Sequence, residues 1–458
     1  MFAEMFAQLG AMPNPISNDE YLARQNKLYQ TLDENDLLIL CSSPETIHSN
    51  DVHHPYRTQS NLLYMTGWIE PDAVFCATNN EGTWESHLFV QPKDTIAEIW
   101  EGRRIGIEGA SARWPIDEAH SLLQMNEIVR GALNESNGVY LIQKLNEDID
   151  QIVHEALTSK SRQRNTYGMG PISLSDPSSI LDEMRMCKSQ AEIEIMQKSA
   201  NIASMAHSLA MKKTQVGIGE WQIQAMIEGF FQSHGSQWSY PSIVGGGDNA
   251  TILHYHTNSK TVADGELVLV DAGCEVDGYA SDITRTWPVN GKFSDSQKEI
   301  YNLVLEAELA GIAACKIGAP WNASHKATME VISKGLIELG ILDCSFDEAM
   351  GDELDGKTRQ FFMHGTSHSL GLDVHDVGVT RPGGKGDGRL LEEGMVLTVE
   401  PGLYFSSWRE DIQVPERYLG IGIRIEDDVL ITKDGPVVLT SNCPKKISEI
   451  EALVGSGL

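Results

Sequence analysis

The chain has 458 residues, of which 41% are hydrophobic, so it can bury a sizeable core and is not expected to be disordered. Its 65 acidic residues outnumber its 35 basic residues and give a formal net charge of −30. Phosphate backbones and anionic lipid surfaces require cationic partners, so we expect the protein to bind neither nucleic acid nor a membrane.

Seven cysteines are scattered along the chain without a CxxC pair, which predicts neither a disulfide framework nor a thiolate zinc site. Residues 1–6 contain an acid and no basic segment, and no apolar run approaches the length of a membrane span. We therefore expect no signal peptide and a cytoplasmic location.

The first part of the chain alternates short strand-like runs with helical stretches, which is typical of an α/β domain. The strand-like runs are residues 37–40, 73–76 and 87–90. A helix is predicted over 19–32, whereas residues 165–179, rich in Gly, Pro and Ser, predict a connection between domains. Two domains are thus expected, at residues 1–175 and 176–458.

The second domain is predicted to place helices and antiparallel hairpins in separate groups, which defines an α+β domain. Capping-box patterns begin two helices, at Ser189 and Ser294, and a third helix is predicted over 324–339, ended by Gly340. The strand-like runs between them are residues 266–272, 283–287, 395–400 and 421–426.

Two aspartates belong to a predicted hairpin of the second domain. Asp277-Gly278 can form the central residues of its turn, which pairs residue 271 with residue 284. In that register Asp271 and Asp282 lie on one face of the hairpin. Two carboxylates there repel each other unless a cation lies between them, so we expect a divalent ion. The alternative is that Asp282 caps a turn and Asp271 accepts backbone hydrogen bonds.

Three histidines, His364, His368 and His375, lie close together in a glycine-containing segment that does not fit a simple amphipathic helix. Imidazole is a common metal ligand and the proton carrier of neutral pH. A single histidine is more often a core residue, but three together favour a functional site. The spacing does not distinguish among the three, and His254 is a weaker candidate by itself.

Two glutamates follow apolar strands. Glu400 ends the run 395–400 directly before Pro401-Gly402, which must end the strand, so its carboxylate is well placed to point into a cleft. Arg424 and Glu426 alternate with isoleucines and therefore share the opposite face of their strand. The alternative for this pair is an exposed ion pair on a half-buried strand.

Together these residues resemble the metal ligands of the pita-bread metallopeptidases, a family that includes methionine aminopeptidase, prolidase, aminopeptidase P and creatinase. The resemblance rests on the order Asp, Asp, His, Glu, Glu and on the segments VDAG, SDITRT, HGTSH, VEPG and RIED. The segments YRTQSNLLYMTGWIEPDA, from Tyr56, and IWEGRR, from Ile99, resemble the creatinase-type N-terminal domain of bacterial aminopeptidase P. The resemblance implies a creatinase-like α/β domain followed by an α+β pita-bread catalytic domain.

The resemblance also implies two divalent metal ions, for which the oxygen-rich ligand set favours Mn²⁺, with Zn²⁺ and Co²⁺ as alternatives. The implied ligands are Asp271, Asp282, His368, Glu400 and Glu426. A hydroxide held by both ions would attack the scissile carbonyl, and Glu400 would also pass a proton to the leaving proline nitrogen. The remaining implied roles are catalytic, substrate-side histidines at His254, His364 and His375, and a group at Arg424 that orients Glu426 or a neighbouring acid.

The implied activity is release of the N-terminal residue from peptides with proline in the second position. The nearest alternative is prolidase, which cleaves only Xaa-Pro dipeptides and would need a cation such as Arg381, Lys385 or Arg389 for the dipeptide's carboxylate. Methionine aminopeptidase would not need the long first domain, and creatinases lack the complete ligand set. A non-catalytic pita-bread binding module is a further alternative, disfavoured because such modules have lost ligands. A homo-oligomer, dimer or tetramer, is also implied.

Overall fold

The computed structural model describes residues 16–80 and 82–457. The chain forms two compact units, of which the first spans Ile16–Met184 and the second begins at Arg185. The expectation that residues 1–6 contain no signal peptide lies outside the described residues. Within the described part of the chain, no helix is both long and apolar enough to cross a bilayer.

The first unit contains a six-stranded mixed sheet and a separate two-stranded hairpin. Its strands are β1 (Asp36–Cys41), β2 (Ile47–Ser49), β3 (Val52–His53), β4 (Val74–Asn80), β5 (Thr83–Val90), β6 (Glu118–Ser121), β7 (Gly138–Leu141) and β8 (Ser173–Ser175). The sheet has the order β6-β5-β4-β1-β7-β8, and β2 pairs with β3. Because β1 lies between β4 and β7, all its residues are buried, which explains its continuous apolar run.

Helices follow or separate these strands, as the alternating pattern predicts. They are α1 (Asn18–Tyr29), α2 (Ser60–Thr66), α3 (Thr95–Glu101), α4 (Gly106–Arg113), α5 (Leu122–Glu135), α6 (Glu147–Thr158), α7 (Arg162–Tyr167) and α8 (Ser178–Met186). α5 and α6 pack on the sheet through apolar residues spaced three or four apart, such as Val129 and Leu133 of α5 and Ile149 of α6. The α/β class of this unit follows.

The segment 165–179 is not the connection between domains that its composition predicts. It contains β8, whose residues pair in parallel with β7 and so extend the sheet of the first unit. A three-residue edge strand is too short to show a period of two, which is why the Gly and Pro content dominated the sequence pattern. The predicted limits, 1–175 and 176–458, keep β8 in the first domain, whereas the compact units divide after Met184, within α8.

The second unit combines several small antiparallel sheets. Its strands are β9 (Gln237–Trp238), β10 (Ile243–Gly246), β11 (Leu267–Asp271), β12 (Cys274–Val276), β13 (Tyr279–Ala280), β14 (Thr284–Pro288), β15 (Val396–Val399), β16 (Gly402–Phe405), β17 (Ile421–Arg424), β18 (Asp427–Thr432) and β19 (Gly435–Val438). They pair in the orders β10-β11-β14, β13-β12-β9, β15-β18-β19 and β16-β17.

The helices described in the second unit are α9 (Gln190–Lys213), α10 (Glu220–Ser233), α11 (Asp295–Ala314), α12 (Ala323–Glu338), α13 (Phe346–Met350) and α14 (Ile447–Leu453). Ser189 and Ser294 both form the reciprocal capping box that the sequence predicts. Gly340 follows the end of α12 with a positive φ of 67°, a conformation that favours glycine. These three helices are confirmed within a residue or two.

The hairpin register and the strand ends position the acidic residues. Asp277 and Gly278 both have positive φ angles, 49° and 84°, as a two-residue hairpin turn requires. Asp271 pairs with Thr284, as predicted. β15 ends immediately before Glu400 and pairs with β18, which begins immediately after Glu426. The ends of these strands therefore bring the four acids of the predicted ligand set to one region of the second unit.

Candidate active site

A cavity of about 440 Å³ in the second unit is lined by all the predicted metal ligands, the substrate-side histidines and Arg424, but not by Arg381, Lys385 or Arg389. The predicted residues that line it are His254, Asp271, Asp282, His364, His368, His375, Glu400, Arg424 and Glu426. The cavity is large enough for a small ligand and is lined by convergent polar groups. The structure thus brings together side chains that are spread over most of the second unit's sequence.

Three of the predicted ligands lie close enough together to hold one metal ion. Ligand atoms of Asp282, His368 and Glu426 all lie within 4.8 Å of one another. The Nε2 atom of His368 is 3.5 Å from Oδ2 of Asp282 and 3.8 Å from Oε1 of Glu400. Asp271 lies beside this group, because the hydroxyl of Tyr240 is within hydrogen-bonding distance of both Asp271 and Asp282. The five predicted ligands therefore form one cluster.

The hydrogen bonds of His368 fix which ring nitrogen faces the acids. Its Nδ1 atom lies 3.0 Å from the carbonyl oxygen of Ser369 and donates its proton there. The Nε2 atom therefore carries the lone pair and points toward Asp282 and Glu400. A histidine that ligates a metal commonly donates its other N–H to a backbone carbonyl in this way. This tautomer suits a metal ligand.

The acids of the cluster are buried close together, and their protonation reflects this. Burial, followed by repulsion from Asp271, raises the pKa of Asp282 well above its usual range. Burial and repulsion from Asp282 raise the pKa of Glu426 in the same way. Burial and repulsion from Glu426 raise the pKa of Glu400 to about 8. Carboxylates that are this costly to ionise together need additional positive charge among them.

Divalent cations fit this need. The donor set offers carboxylate oxygens and a single imidazole nitrogen, which are ligands that suit hard divalent ions such as Mn²⁺. The buried side chain of Arg424 supplies a single positive charge beside the acids, which is less than their combined negative charge. The residues present therefore match a site for divalent metal ions, and they would hold them through the five predicted ligands.

Tyr240 is a site residue that the sequence analysis missed. Its hydroxyl lies 2.5 Å from Oδ1 of Asp271 and 2.5 Å from Oδ1 of Asp282, so it donates its proton between the two carboxylates. Tyr240 lies in the short connection between β9 and β10, and β10 pairs with β11, which ends at Asp271. β9 and β10 are too short to show an alternation of apolar and polar residues, so the sequence does not predict that Tyr240 lies beside Asp271.

Arg424 connects the cluster to the surrounding protein. Its Nη2 atom donates to Oδ2 of Asp271 at 2.6 Å, and its Nε atom donates to the hydroxyl of Thr284 at 3.0 Å. Thr284 in turn donates to Oε2 of Glu426 at 2.6 Å. Arg424 and Glu426 are both buried, so the alternative of an exposed ion pair on a half-buried strand is wrong. Arg424 contacts Asp271 directly and reaches Glu426 through Thr284.

The remaining histidines occupy different parts of the cavity. His364 donates from Nδ1 to the carbonyl of Gly365 and accepts at Nε2 from the hydroxyl of Tyr404, 2.7 Å away. Burial, with the charge of Arg424, lowers the pKa of His364 to about 3, so its ring is neutral. His375 packs edge-on against His368, and burial together with that neighbour lowers the pKa of His375. His254 is exposed on the cavity wall.

Two family models match the chain. Residues 194–433 match Metallopeptidase family M24, and residues 21–140 match Aminopeptidase P, N-terminal domain. The chain is 41% identical to Xaa-Pro aminopeptidase of Escherichia coli (strain K12), over 96% of this chain and 98% of that protein. It is 32% identical to Xaa-Pro aminopeptidase 3 of Homo sapiens, over 97% of this chain and 87% of that protein.

Solved structures agree with these matches. The structure of Escherichia coli aminopeptidase P with the inhibitor Pro-Leu superposes with a TM-score of 0.90 at 40% identity, covering 96% of this chain and 98% of that chain. Pseudomonas aeruginosa aminopeptidase PepP gives a TM-score of 0.90 at 38% identity, covering 97% and 99%.

The fold and the site define a metal-dependent hydrolase of peptide bonds. The chain belongs to metallopeptidase family M24, with an aminopeptidase P N-terminal domain followed by a pita-bread catalytic domain. The predicted fold class and family are confirmed. Membership of this family implies divalent metal ions, as the donor set of the cavity also indicates.

Proposed function

We propose that this protein is an Xaa-Pro aminopeptidase, which hydrolyses the bond between the N-terminal residue and a proline in the second position. The observation that carries the proposal is the clustering of four carboxylates and His368 in a single cavity of about 440 Å³. Support comes from relatives named for this activity that match over almost the whole of both chains. The prolidase alternative has no comparable support.

The five clustered side chains Asp271, Asp282, His368, Glu400 and Glu426 would hold the metal ions between them. Mn²⁺ is the proposed metal, because four of the five ligands are carboxylates. Ions held there supply Lewis acidity, which makes water nucleophilic at neutral pH and polarises a carbonyl. This assignment is supported by the short distances among Asp282, His368 and Glu426.

Glu400 is the proposed proton carrier. Its carboxylate lines the cavity, with Oε2 3.5 Å from Nδ1 of His364, so it lies where it can exchange a proton with water and with a bound substrate. It accepts a proton from the attacking water and donates it to the proline nitrogen as the bond breaks. That nitrogen belongs to a tertiary amide without an N–H, so binding cannot depend on a hydrogen bond from it.

The histidines act on the substrate side of the cluster. His375 lies against His368 with its ring partly exposed to the cavity, so it can donate a hydrogen bond to the scissile carbonyl. His364 is neutral and held between Gly365 and Tyr404, which positions its ring 3.5 Å from Glu400. His254 lines the same cavity with an exposed side chain, so it can contact the residues of a bound peptide.

Product analysis tests the proposal. The Mn²⁺-loaded protein is incubated with a peptide of the form Xaa-Pro-Xaa and with the matched peptide in which alanine replaces proline. Release of the first residue from the proline peptide, with much slower release from the alanine peptide, is the expected result. Equal cleavage of both peptides would contradict proline specificity, and no bound Mn²⁺ after loading would favour a non-catalytic module.

Assembly and location are parts of the same proposal. The protein forms a homo-oligomer, a dimer or a tetramer, as the resemblance to aminopeptidase P implies, and light scattering tests this. It acts in the cytoplasm, which is supported by the widely scattered cysteines without a CxxC pair, since a disulfide framework is typical of oxidising compartments. Fractionation of cells with an antibody against the protein tests the location.

A further inference from the structure

A second cluster of metal-ligand side chains lies in the first unit, on the sheet edge formed by β5 and β6. These strands are parallel, and their register pairs His87 with Glu118 and Phe89 with His120. Paired residues and residues two apart share a face of the sheet, so His87, Glu118 and His120 all project from the same face. None of them contributes to the active site described above, which lies in the second unit.

The three side chains converge on one point. Nδ1 of His87 lies 3.1 Å from Nε2 of His120. Oε2 of Glu118 lies 3.3 Å from Nε2 of His120 and 3.9 Å from Nδ1 of His87. An ion at equal distances from these three atoms, and in their plane, would be about 2.0 Å from each of them. Zn–N and Zn–O distances in proteins are about 2.0–2.2 Å.

The three atoms that face one another are two imidazole nitrogens and a carboxylate oxygen. When the proton of each neutral ring lies on its other nitrogen, all three atoms present lone pairs to the same point. Protons on both nitrogens would collide across 3.1 Å. A cation at the centre of the triangle is attracted to all three lone pairs.

The surroundings favour a cation as well. The side chains of His87 and His120 are mostly buried, at 13% and 16% exposed, which holds their rings in place. His120 is stacked on Phe89, with 5.2 Å between the ring centres. Glu85, two residues before His87, lines the adjoining small cavity and adds negative charge.

We infer that His87, Glu118 and His120 bind one Zn²⁺ ion, with the fourth tetrahedral position left to a water molecule. Two imidazoles and one carboxylate are a donor set that suits zinc. The side chain of Glu118 is 55% exposed, so an ion can enter from solvent on this side. The ion would link β6, the edge strand of the sheet, to β5 and so stabilise the folded first unit.

Metal content and anomalous diffraction test this site in the full-length protein. Metal-free wild type and the variants His87→Gln and His120→Phe are loaded with Zn²⁺, freed of excess ion and analysed for zinc per chain. His154→Gln, at an exposed histidine on α6, is the matched control. We expect each variant of the cluster to retain one zinc fewer than wild type and the control, because zinc at the active site contributes equally to all four proteins.

Two results would overturn the inference. One is equal zinc content in wild type and in both cluster variants, with circular dichroism showing that they are folded. The other is a crystal of the zinc-loaded protein without an anomalous peak about 2.0–2.2 Å from the three ligand atoms at the zinc absorption edge. The Mn²⁺-dependent peptidase activity of the variants is expected to match that of wild type, which separates this site from the proposed function.

Discussion

The Nη2 atom of Arg424 lies 2.6 Å from Oδ2 of Asp271, and both side chains are almost completely enclosed by the second unit. The same guanidinium donates to the hydroxyl of Tyr404, which in turn donates to His364. One buried arginine therefore positions a predicted metal ligand on one side and a substrate-side histidine on the other.

Replacing Arg424 by glutamine should weaken metal binding. Asp271 would lose the cation that orients its carboxylate, and loss of such a supporting contact typically lowers metal affinity or activity by about 10–100-fold. Titration of the metal-free variant with Mn²⁺ measures the affinity. Arg417→Gln, at a half-exposed arginine that pairs with Glu299 on the surface, is the control and should bind Mn²⁺ as wild type does. Equal affinities for the two variants would show that the buried ion pair does not support the site.

Replacing Tyr240 by phenylalanine should have a smaller effect of the same kind. The ring would still fill its buried position, but Asp271 and Asp282 would lose the hydroxyl that they share. We expect Mn²⁺ affinity to fall by about tenfold, at the lower end of effects for such supporting groups. Tyr167→Phe, which removes the hydroxyl of an exposed tyrosine, is the matched control. An unchanged Mn²⁺ titration of Tyr240→Phe would contradict this role.

Replacing Glu400 by glutamine should abolish most of the turnover while leaving the fold intact. The variant keeps the shape of the side chain but loses the group that accepts and donates the proton, so kcat should fall by about 10²–10⁴-fold. The control is Glu393→Gln, at an exposed glutamate shortly before β15, and it should retain wild-type kcat. Steady-state kinetics on an Xaa-Pro-Xaa peptide measures both values. Undiminished turnover by Glu400→Gln would remove Glu400 from the mechanism.

A separate buried ion pair should make the stability of the second unit depend on pH. Asp376 contacts Arg185 at 2.5 Å and Lys188 at 3.1 Å, and all three side chains are buried. Burial acts to raise the pKa of Asp376, but Lys188 and Arg185 outweigh burial and lower it. A carboxyl whose pKa is lowered by folding stabilises the protein above its unfolded pKa of about 4, and that contribution is lost as pH falls through the folded pKa.

We therefore expect Asp376→Asn to lower the free energy of unfolding by about 3–5 kcal/mol at pH 7, as loss of one partner of a buried ion pair does. Urea unfolding at a series of pH values measures the difference from wild type, which should shrink below about pH 4. Asp373→Asn, at a partly exposed aspartate that contacts the same Arg185 at 2.7 Å, should cost no more than about 1 kcal/mol. A difference that is constant from pH 7 to pH 3 would rule out this linkage.

Local chemistry allowed much of the second unit to be predicted from its sequence. Capping boxes predict where α9 and α11 begin, because Ser and the acid or amide three residues later satisfy free backbone groups. The Asp277-Gly278 turn determines the hairpin register and so the shared face of Asp271 and Asp282. The assignment of five ligands, by contrast, came from the family resemblance rather than from spacing.

Contacts between distant segments could not be predicted in this way. Arg424 is predicted to orient Glu426 or a neighbouring acid, and spacing cannot show that this acid is Asp271, which it contacts because β17 passes beside β11 in the folded unit. Tyr240 lies between two strands that are too short to show a period. His87 and His120 meet only because β5 and β6 pair in parallel, and a parallel register is not encoded by a turn.

Hydrolysis of an Xaa-Pro dipeptide and an Xaa-Pro-Xaa tripeptide, measured side by side before and after chelation, tests the proposed activity most directly. The metal-free protein is assayed alone and after addition of Mn²⁺, Zn²⁺ or Co²⁺. We predict that the tripeptide loses its first residue, that chelation abolishes this turnover, and that Mn²⁺ restores it most fully. Turnover that survives complete removal of metal, or cleavage of the dipeptide alone, would contradict a metal-dependent Xaa-Pro aminopeptidase.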